Sequence, residues 1–228
     1  MKNSGIRLDR LGNAFSKTPV IIYLGAWIAG ADLCSKTVIE TAICAALLWA
    51  GLYTLNEAVD RWLENDQNDS LTWIVGAIFC AYPLFNFDGG QLVVALLMIL
   101  SQLAYTAGGK RKIRIFLLLR IAVNPFLRIL MGMMCGHYMG LSVKWLALIP
   151  LLLVHVSSVT WTLQGTAKKR TALGYETLQS YGMAAPLQRV FTFLINRHHG
   201  DIEKERVLWF LAGVISLPVL ILLWWISN

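Results

Sequence analysis

Long apolar runs separated by short charged loops constrain this chain more than any other feature. Several of these runs approach the ~20 residues that a helix needs to cross the hydrocarbon core of a bilayer. Hydrophobic residues make up 57% of the chain and charged residues only 14%, whereas soluble domains carry about a quarter charged residues. The runs lack the alternating pattern of transmembrane β-strands. We therefore expect an all-α, polytopic transmembrane helical bundle.

The apolar runs predict about seven membrane spans within a single transmembrane domain that covers residues 1–228. Their boundaries carry the usual error of about two to four residues. The predicted spans are Pro19–Ala31, Val38–Leu55, Leu71–Phe87, Leu92–Ala107, Ile113–Met134, Leu141–Leu163 and Val207–Ile226. Partial helical periodicity between the last two spans predicts an amphipathic interfacial segment at about 166–205.

Basic residues predict the topology, because cytoplasmic loops are enriched in Lys and Arg. They cluster in the amino-terminal segment, before the fifth span and after the sixth. An odd number of spans places all three clusters on one side, so we expect a cytoplasmic amino terminus. The compact format suggests a bacterial inner membrane. For a net charge of +7 distributed in this way, anionic lipids and phosphorylated substrates fit better than nucleic acid.

An acidic run continues the second span towards the cytoplasm. Asn56, Asp60 and Glu64 are four residues apart and share one helical face, with Glu57 beside them. Oxygen ligands of this kind, together with substrate phosphates, are the usual environment of Mg²⁺. A Mg²⁺ ion held there could help a diphosphate to leave. The alternative is an acidic helix end that is simply solvated.

Two further groups of polar residues are candidates for binding an anionic substrate. Arg120, Asn124 and Arg128 form a stripe at four-residue spacing on the fifth span. Because charges inside a membrane are costly, such a stripe favours a functional cavity over an ion pair or snorkelling. The second group follows the sixth span and comprises Lys168, Lys169, Arg170, Tyr175 and Glu176. Its basic residues alternatively serve only as topology anchors.

These motifs resemble those of the UbiA-type prenyltransferase superfamily over roughly residues 10–180. The run Asn56-Glu57-x-x-Asp60-Arg61-x-x-Glu64 resembles the first aspartate-rich motif, usually written N-D-x-x-D-x-x-x-D. Tyr105 to Arg111 looks like the family's Tyr…Lys-Arg segment, and Arg128 with Gly132 resembles its Arg…Gly pattern. Residues 169–173 are similar to the Lys-Arg-x-Ala-Glu-Leu variant found in the polyprenyl-phosphate phosphoribosyltransferase branch.

The sequence also departs from the family pattern. Glutamate occupies the second position of the first motif, and the second motif lacks its aspartates, leaving Glu176 as the nearest carboxylate. The family fold has nine spans, so the resemblance implies a short member that is truncated from nine. It implies a Mg²⁺-dependent transferase that moves a prenyl group from an isoprenoid diphosphate to an acceptor. The alternatives are phosphoribosyl transfer to a polyprenyl phosphate, a non-catalytic lipid- or partner-binding protein, and an anion transporter.

The polar patterns and the resemblance together assign roles to individual residues. The expected catalytic residues are Asn56, Asp60, Glu64 and Arg128. The expected Mg²⁺ ligands are Asn56, Glu57, Asp60 and Glu64. The expected substrate-binding residues are Tyr53, Arg61, Lys110, Arg111, Arg120, Asn124, Lys168, Lys169, Arg170, Tyr175 and Glu176.

Overall fold

The computed structural model describes residues 8–65, 70–87, 89–136, 143–149 and 167–177, and these ranges are helical without any β-strand. The helices are α1 (Leu8–Ile28), α2 (Lys36–Asn65), α3 (Ser70–Asn86), α4 (Gly89–Ala104), α5 (Ile113–Leu117), α6 (Asn124–Met133) and α7 (Ala167–Ala172). π-helical segments at Tyr105–Gly109 and Leu118–Val123 follow α4 and α5, and a 3-10 helix covers Val143–Ala147. The all-α prediction is confirmed.

Among the described residues, three helical stretches are long and apolar enough to cross a membrane. They are Lys36–Trp62, Gly89–Gly109 and Ile113–Met133, and Ser70–Asn86 is a shorter apolar helix. They correspond to the predicted second, fourth, fifth and third spans. Most of the predicted sixth span, the whole seventh span and most of the interfacial segment at 166–205 lie outside the described residues. The count of seven therefore stays a prediction.

The exposed face of α3 is compatible with contact with a lipid bilayer. Its exposed residues are Leu71, Ile74, Ile78, Tyr82 and Phe85, with Phe85 89% exposed. They recur every three to four residues and so form one continuous apolar face. A soluble monomer rarely exposes a patch of this kind. Contact with the hydrocarbon core of a bilayer covers it at no cost.

The chain divides into two compact units. Among the described residues, the first unit contains 8–102 and 126–136, and the second contains 103–125, 143–149 and 167–177. The prediction of one domain over residues 1–228 stays a prediction.

α1 begins much earlier than the predicted first span. It starts at Leu8, eleven residues before Pro19, and contains that proline inside the helix. Buried residues recur along it at Ala14, Thr18, Ile21 and Ile22, which is the spacing of an amphipathic helix. The predicted span counted only the apolar run, whereas the helix also includes polar turns that precede it.

α1 and α6 pack closely through small residues in the first unit. A Cβ atom added to Gly25 would clash with the Ile129 carbonyl oxygen, and one added to Gly132 would clash with the Ile22 carbonyl oxygen. Small residues of this kind let helix backbones approach in membranes. A Cβ atom on Gly132 would also meet the Ala26 nitrogen, and one on Gly136, four residues later, would meet Ala29. Residue numbers therefore rise together along both segments, so α1 and α6 run parallel. Three intervening spans would produce this relation.

α2 packs antiparallel against α3. Gly51 lies against the backbone of Gly76 and Cys80, and Gly76 lies against Leu55. α2 continues through Asn65. The predicted continuation of the second helix through the acidic run is therefore observed. That extension places the candidate metal ligands on a regular helix.

The helix between Ile113 and Met133 changes its hydrogen-bonding pattern near Pro125. The Asn124 backbone N–H donates to the Leu119 carbonyl, a bond that spans five residues instead of four. Pro125 has no N–H to continue the α-helical ladder, and a π-helical segment accommodates this interruption.

Candidate functional site

One face of α2 carries two of the predicted metal ligands and two aromatic rings. The Asn56 side-chain amide donates to the Asp60 carboxylate at 3.4 Å. Trp49 and Tyr53 precede them on the same helical face, with ring centroids 5.6 Å apart. We call these four residues the α2 stripe. Trp49 is 1% exposed and Asn56 6%, so the stripe faces the interior of the first unit.

Arg128 from α6 lies at the Trp49 end of the α2 stripe. Its guanidinium carbon is 4.8 Å from the centroid of the Trp49 ring, and the residue is buried. A desolvated cation–π contact contributes about 2 kcal/mol. Since a helix rises 1.5 Å per residue, about 16 Å of α2 separate Trp49 from Asp60. Arg128 and the two predicted metal ligands therefore lie towards opposite ends of one face of α2 that also carries two aromatic rings.

Glu57, a predicted metal ligand, is ion-paired with two arginines. Its carboxylate lies 2.8 Å from an Arg10 nitrogen and 3.6 Å from Arg61 Nε. Arg10 comes from α1, whereas Arg61 is one turn along α2. A metal bound by Glu57 would compete with both guanidinium groups. The structure therefore gives Glu57 and Arg61 a mutual contact, and their metal-binding and substrate-binding roles stay predictions.

The predicted polar stripe on the fifth span does not place its three residues in equivalent surroundings. The Arg120 guanidinium carbon is 5.9 Å from the Tyr105 ring centroid in the second unit. Asn124 is 1% exposed and also belongs to that unit. Arg128 belongs to the first unit and contacts Trp49. The π-helical segment after Leu117 shifts the register, so simple four-residue spacing does not describe this face.

In the second unit, Arg170 and Glu176 tie α7 to the start of α5. Arg170 donates two hydrogen bonds to the Glu176 main-chain carbonyl, at 2.9 and 2.7 Å. Its guanidinium carbon also lies 5.1 Å from the Phe116 ring centroid and 5.7 Å from that of Tyr175. The Glu176 backbone N–H donates to the Arg111 carbonyl at 3.0 Å. We call this arrangement the clamp.

The Glu176 carboxylate completes the clamp. It accepts hydrogen bonds from the Ile113 backbone N–H at 2.9 Å and from Lys112 Nζ at 3.0 Å. These donors, the backbone N–H first, hold the pKa of the Glu176 carboxyl below its usual value. An otherwise unpaired N–H at the first turn of α5 is thereby satisfied. Glu176 therefore has a structural contact, and its predicted substrate role stays a prediction.

Replacing Glu176 by glutamine is expected to remove an acid-sensitive part of the stability. A carboxyl whose pKa is lowered by folding stabilises the protein above its unfolded pKa of about 4.3, and this stabilisation is lost as the pH falls through the folded value. The wild type should therefore exceed the variant in thermal unfolding temperature at pH 7, and the difference should shrink towards pH 3. Thermal scans in detergent across this range measure it.

Glu40→Gln is the matched control, because Glu40 is a half-exposed carboxylate that lies 4.0 Å from Lys36 in the first unit. It should leave the unfolding temperature nearly unchanged at neutral pH. A Glu176→Gln variant that differs from the wild type by the same amount at every pH would contradict the contribution of the clamp.

Several predicted residues lie outside the part of the chain whose side chains are described. They are Glu64, Lys168 and Lys169. The predicted meeting of Asp60 with the basic residues of the second unit, namely Lys110, Arg111 and Arg170, stays a prediction, because the α2 stripe belongs to the first unit.

A surface cavity lies at the ends of α2 and α3, away from the α2 stripe. Its volume is about 540 Å³, and it is lined by Trp62, Ser70, Trp73 and Ile74. At 100° per residue, Trp62 lies on the side of α2 opposite Asp60. The described lining of the cavity is therefore distinct from the α2 stripe.

The donors in the α2 stripe suit Mg²⁺ only if the substrate supplies further ligands. Among the described residues, no group of three or more His, Cys, Asp or Glu side chains is arranged to hold a metal ion. Mg²⁺ is commonly held by one or two carboxylates, with phosphates and water completing the octahedron. Asp60 with the amide oxygen of Asn56 fits that limited role.

Two residues of the site were missed by sequence reasoning. Arg10 was treated only as a topology signal, although it reaches Glu57. Trp49 lies seven residues before Asn56, so helical periodicity could have placed it on the same face. Nothing in the sequence indicated that Arg128 would stack on Trp49, because that contact joins separate helices.

Comparison with protein-family models, with curated proteins and with solved structures finds no match to this chain.

Proposed function

We propose that this protein is a membrane-embedded, Mg²⁺-dependent transferase that acts on a diphosphate substrate, with prenyl transfer from an isoprenoid diphosphate to an acceptor as its reaction. The α2 stripe is the observation that carries the proposal. It combines oxygen ligands at a helix end with aromatic rings that run into the helical unit. A substrate with an anionic head and an apolar tail has the matching distribution of polarity.

Asp60 and Asn56 would hold Mg²⁺ together with the diphosphate, and the ion would neutralise charge that develops on the leaving group. Tyr53 and Trp49 lie along the same face towards the interior. The Tyr53 ring is suited to contact an allylic chain and to stabilise positive charge on it, whereas the Trp49 ring already faces the Arg128 guanidinium. Arg128, buried against Trp49, is in position to orient an anionic acceptor at the far end of the α2 stripe.

The resemblance to UbiA-type prenyltransferases supports the same reaction class and enters here as a proposal. In that scheme Lys168, Lys169 and Arg170 contribute cations to the phosphate groups. Phosphoribosyl transfer to a polyprenyl phosphate uses the same charges with the diphosphate on a ribose. The ion pairs of Glu57 with Arg10 and Arg61 favour a second candidate, a non-catalytic binder of phosphorylated lipid, because they occupy a predicted metal ligand.

Release of pyrophosphate distinguishes these candidates. Purified protein in liposomes is incubated with radiolabelled prenyl diphosphates of several chain lengths, or with phosphoribosyl diphosphate and a polyprenyl phosphate, each with and without Mg²⁺. We expect Mg²⁺-dependent pyrophosphate release with a prenyl diphosphate and an acceptor. Binding of the labelled lipid without release would support the non-catalytic candidate and would remove the transferase proposal.

A further inference from the structure

The start of α5 combines exposed cations with an exposed apolar helix face. Arg111, Lys112 and Arg114 are exposed at its amino end. Ile115 and Leu118 follow, 44% and 58% exposed. Ala122, further along the same helical stretch, is exposed as well. A positively charged end thus continues directly into an apolar face on a helix of membrane length.

Charge in this part of the second unit is strongly one-sided. Residues 110–114 and 168–170 together contain seven Lys and Arg residues. Glu176 is the one carboxylate side chain among the described residues of that unit, and it is engaged by Lys112 and the Ile113 N–H. This excess of positive charge favours binding of an anionic partner at the membrane surface.

The clamp fixes these cations at the surface. The Arg111 guanidinium carbon lies 5.8 Å from the Tyr175 ring centroid, and the Arg111 carbonyl accepts from the Glu176 N–H at 3.0 Å. Leu173, in the turn after α7, adds an apolar side chain that is 39% exposed. The loop before α5 is therefore held to a second element, so its cations need little ordering when they bind a ligand.

We propose that this surface is a binding site for an anionic phospholipid. Arg111 and Arg114 contact the headgroup phosphate, and an acyl chain lies along Ile115 and Leu118. Arginine suits phosphate oxygens because its planar fork can donate two hydrogen bonds. The site goes beyond the proposed transferase reaction, because the lipid is a bound component of the membrane and is not consumed.

Native mass spectrometry of the detergent-solubilised full chain tests the site with phosphatidylglycerol and phosphatidylcholine of identical acyl chains. We expect preferential binding of phosphatidylglycerol. The double variant Arg111→Gln/Arg114→Gln should weaken that binding roughly 30-fold, since each basic residue near an anionic headgroup contributes about 1 kcal/mol. The control Lys36→Gln/Lys144→Gln removes two cations elsewhere and should leave binding unchanged. Thermal scans of both double variants test whether they fold like the wild type.

Equal binding of the two lipids would overturn the proposal, as would equal losses in the two double variants. A competition arm separates the lipid from the diphosphate of the proposed reaction. Inorganic pyrophosphate that displaces phosphatidylglycerol would assign Arg111 and Arg114 to the substrate and would also overturn the lipid site. Unchanged lipid binding in a protein that releases no pyrophosphate would reject the transferase and leave the lipid site in place.

Discussion

Replacing Asp60 by asparagine is expected to lower Mg²⁺-dependent pyrophosphate release at least about 100-fold, equivalent to about 2.7 kcal/mol of transition-state stabilisation. Asparagine has nearly the same shape as aspartate but no negative charge to hold a divalent cation. Asp60 is the appropriate residue to test because Asn56 supports its carboxylate at 3.4 Å. The measurement is initial rate against Mg²⁺ concentration in liposomes.

Glu57→Gln is the informative companion variant. Arg10 and Arg61 both form ion pairs with the Glu57 carboxylate, so removing this carboxylate should lower the thermal unfolding temperature. Glu57→Gln should reduce turnover much less than Asp60→Asn does. If Glu57 were a metal ligand, the two variants would lose turnover equally and would both require more Mg²⁺. Turnover of Asp60→Asn equal to that of the wild type would remove Asp60 from the metal site.

The sequence was sufficient to predict the helical class and the helix that carries the candidate ligands. Long apolar runs require helices in a bilayer, whose backbone groups must bond internally. Periodicity alone placed Asn56 and Asp60 on one face of α2, and the hydrogen bond between them agrees with that placement. Both predictions rest on interactions that are local in the chain.

Contacts between distant segments could not be predicted in the same way. Arg10 and Glu57 are 47 positions apart in the chain, and only the packing of α1 on α2 brings them together. The start of α1 was missed for a related reason. Its first turns are polar, so hydropathy excluded them, although their buried face packs as a helix. The π-helical register near Pro125 likewise depends on how one proline is accommodated.

Glu176 shows how a residue singled out in the sequence can make a structural contact that the sequence does not reveal. Its position after Lys169 and Arg170 suggested a substitute for a missing aspartate of the second motif. The structure joins it to Ile113, 63 residues earlier, where it satisfies a helix N–H. A single carboxylate in a basic segment indicates that it makes a polar contact. The sequence could not show that the Ile113 backbone N–H is one of the hydrogen-bond donors.

Replacing Gly132 by alanine is expected to destabilise the protein by about 1–3 kcal/mol, the cost of overpacking a tight contact. The added methyl group would meet the Ile22 carbonyl, and backbone cannot rotate away as a side chain can. α1 and α6 would have to separate, which would loosen Arg128 against Trp49 on the turn before Gly132. Denaturant titration of the protein in mixed micelles measures the change in unfolding free energy.

Gly90→Ala is the matched control for that measurement. It makes the same substitution at an exposed position, where the new atom would meet only the flexible end of the Met134 side chain at 2.8 Å. Its effect should lie within about 0.5 kcal/mol of zero. Gly25→Ala acts on the same helix pair, so the Gly25→Ala/Gly132→Ala double variant should lose less than the two single losses added together, because helices already separated accommodate the second methyl. Full additivity, or a Gly132→Ala variant as stable as Gly90→Ala, would show that the two backbones do not approach at these glycines.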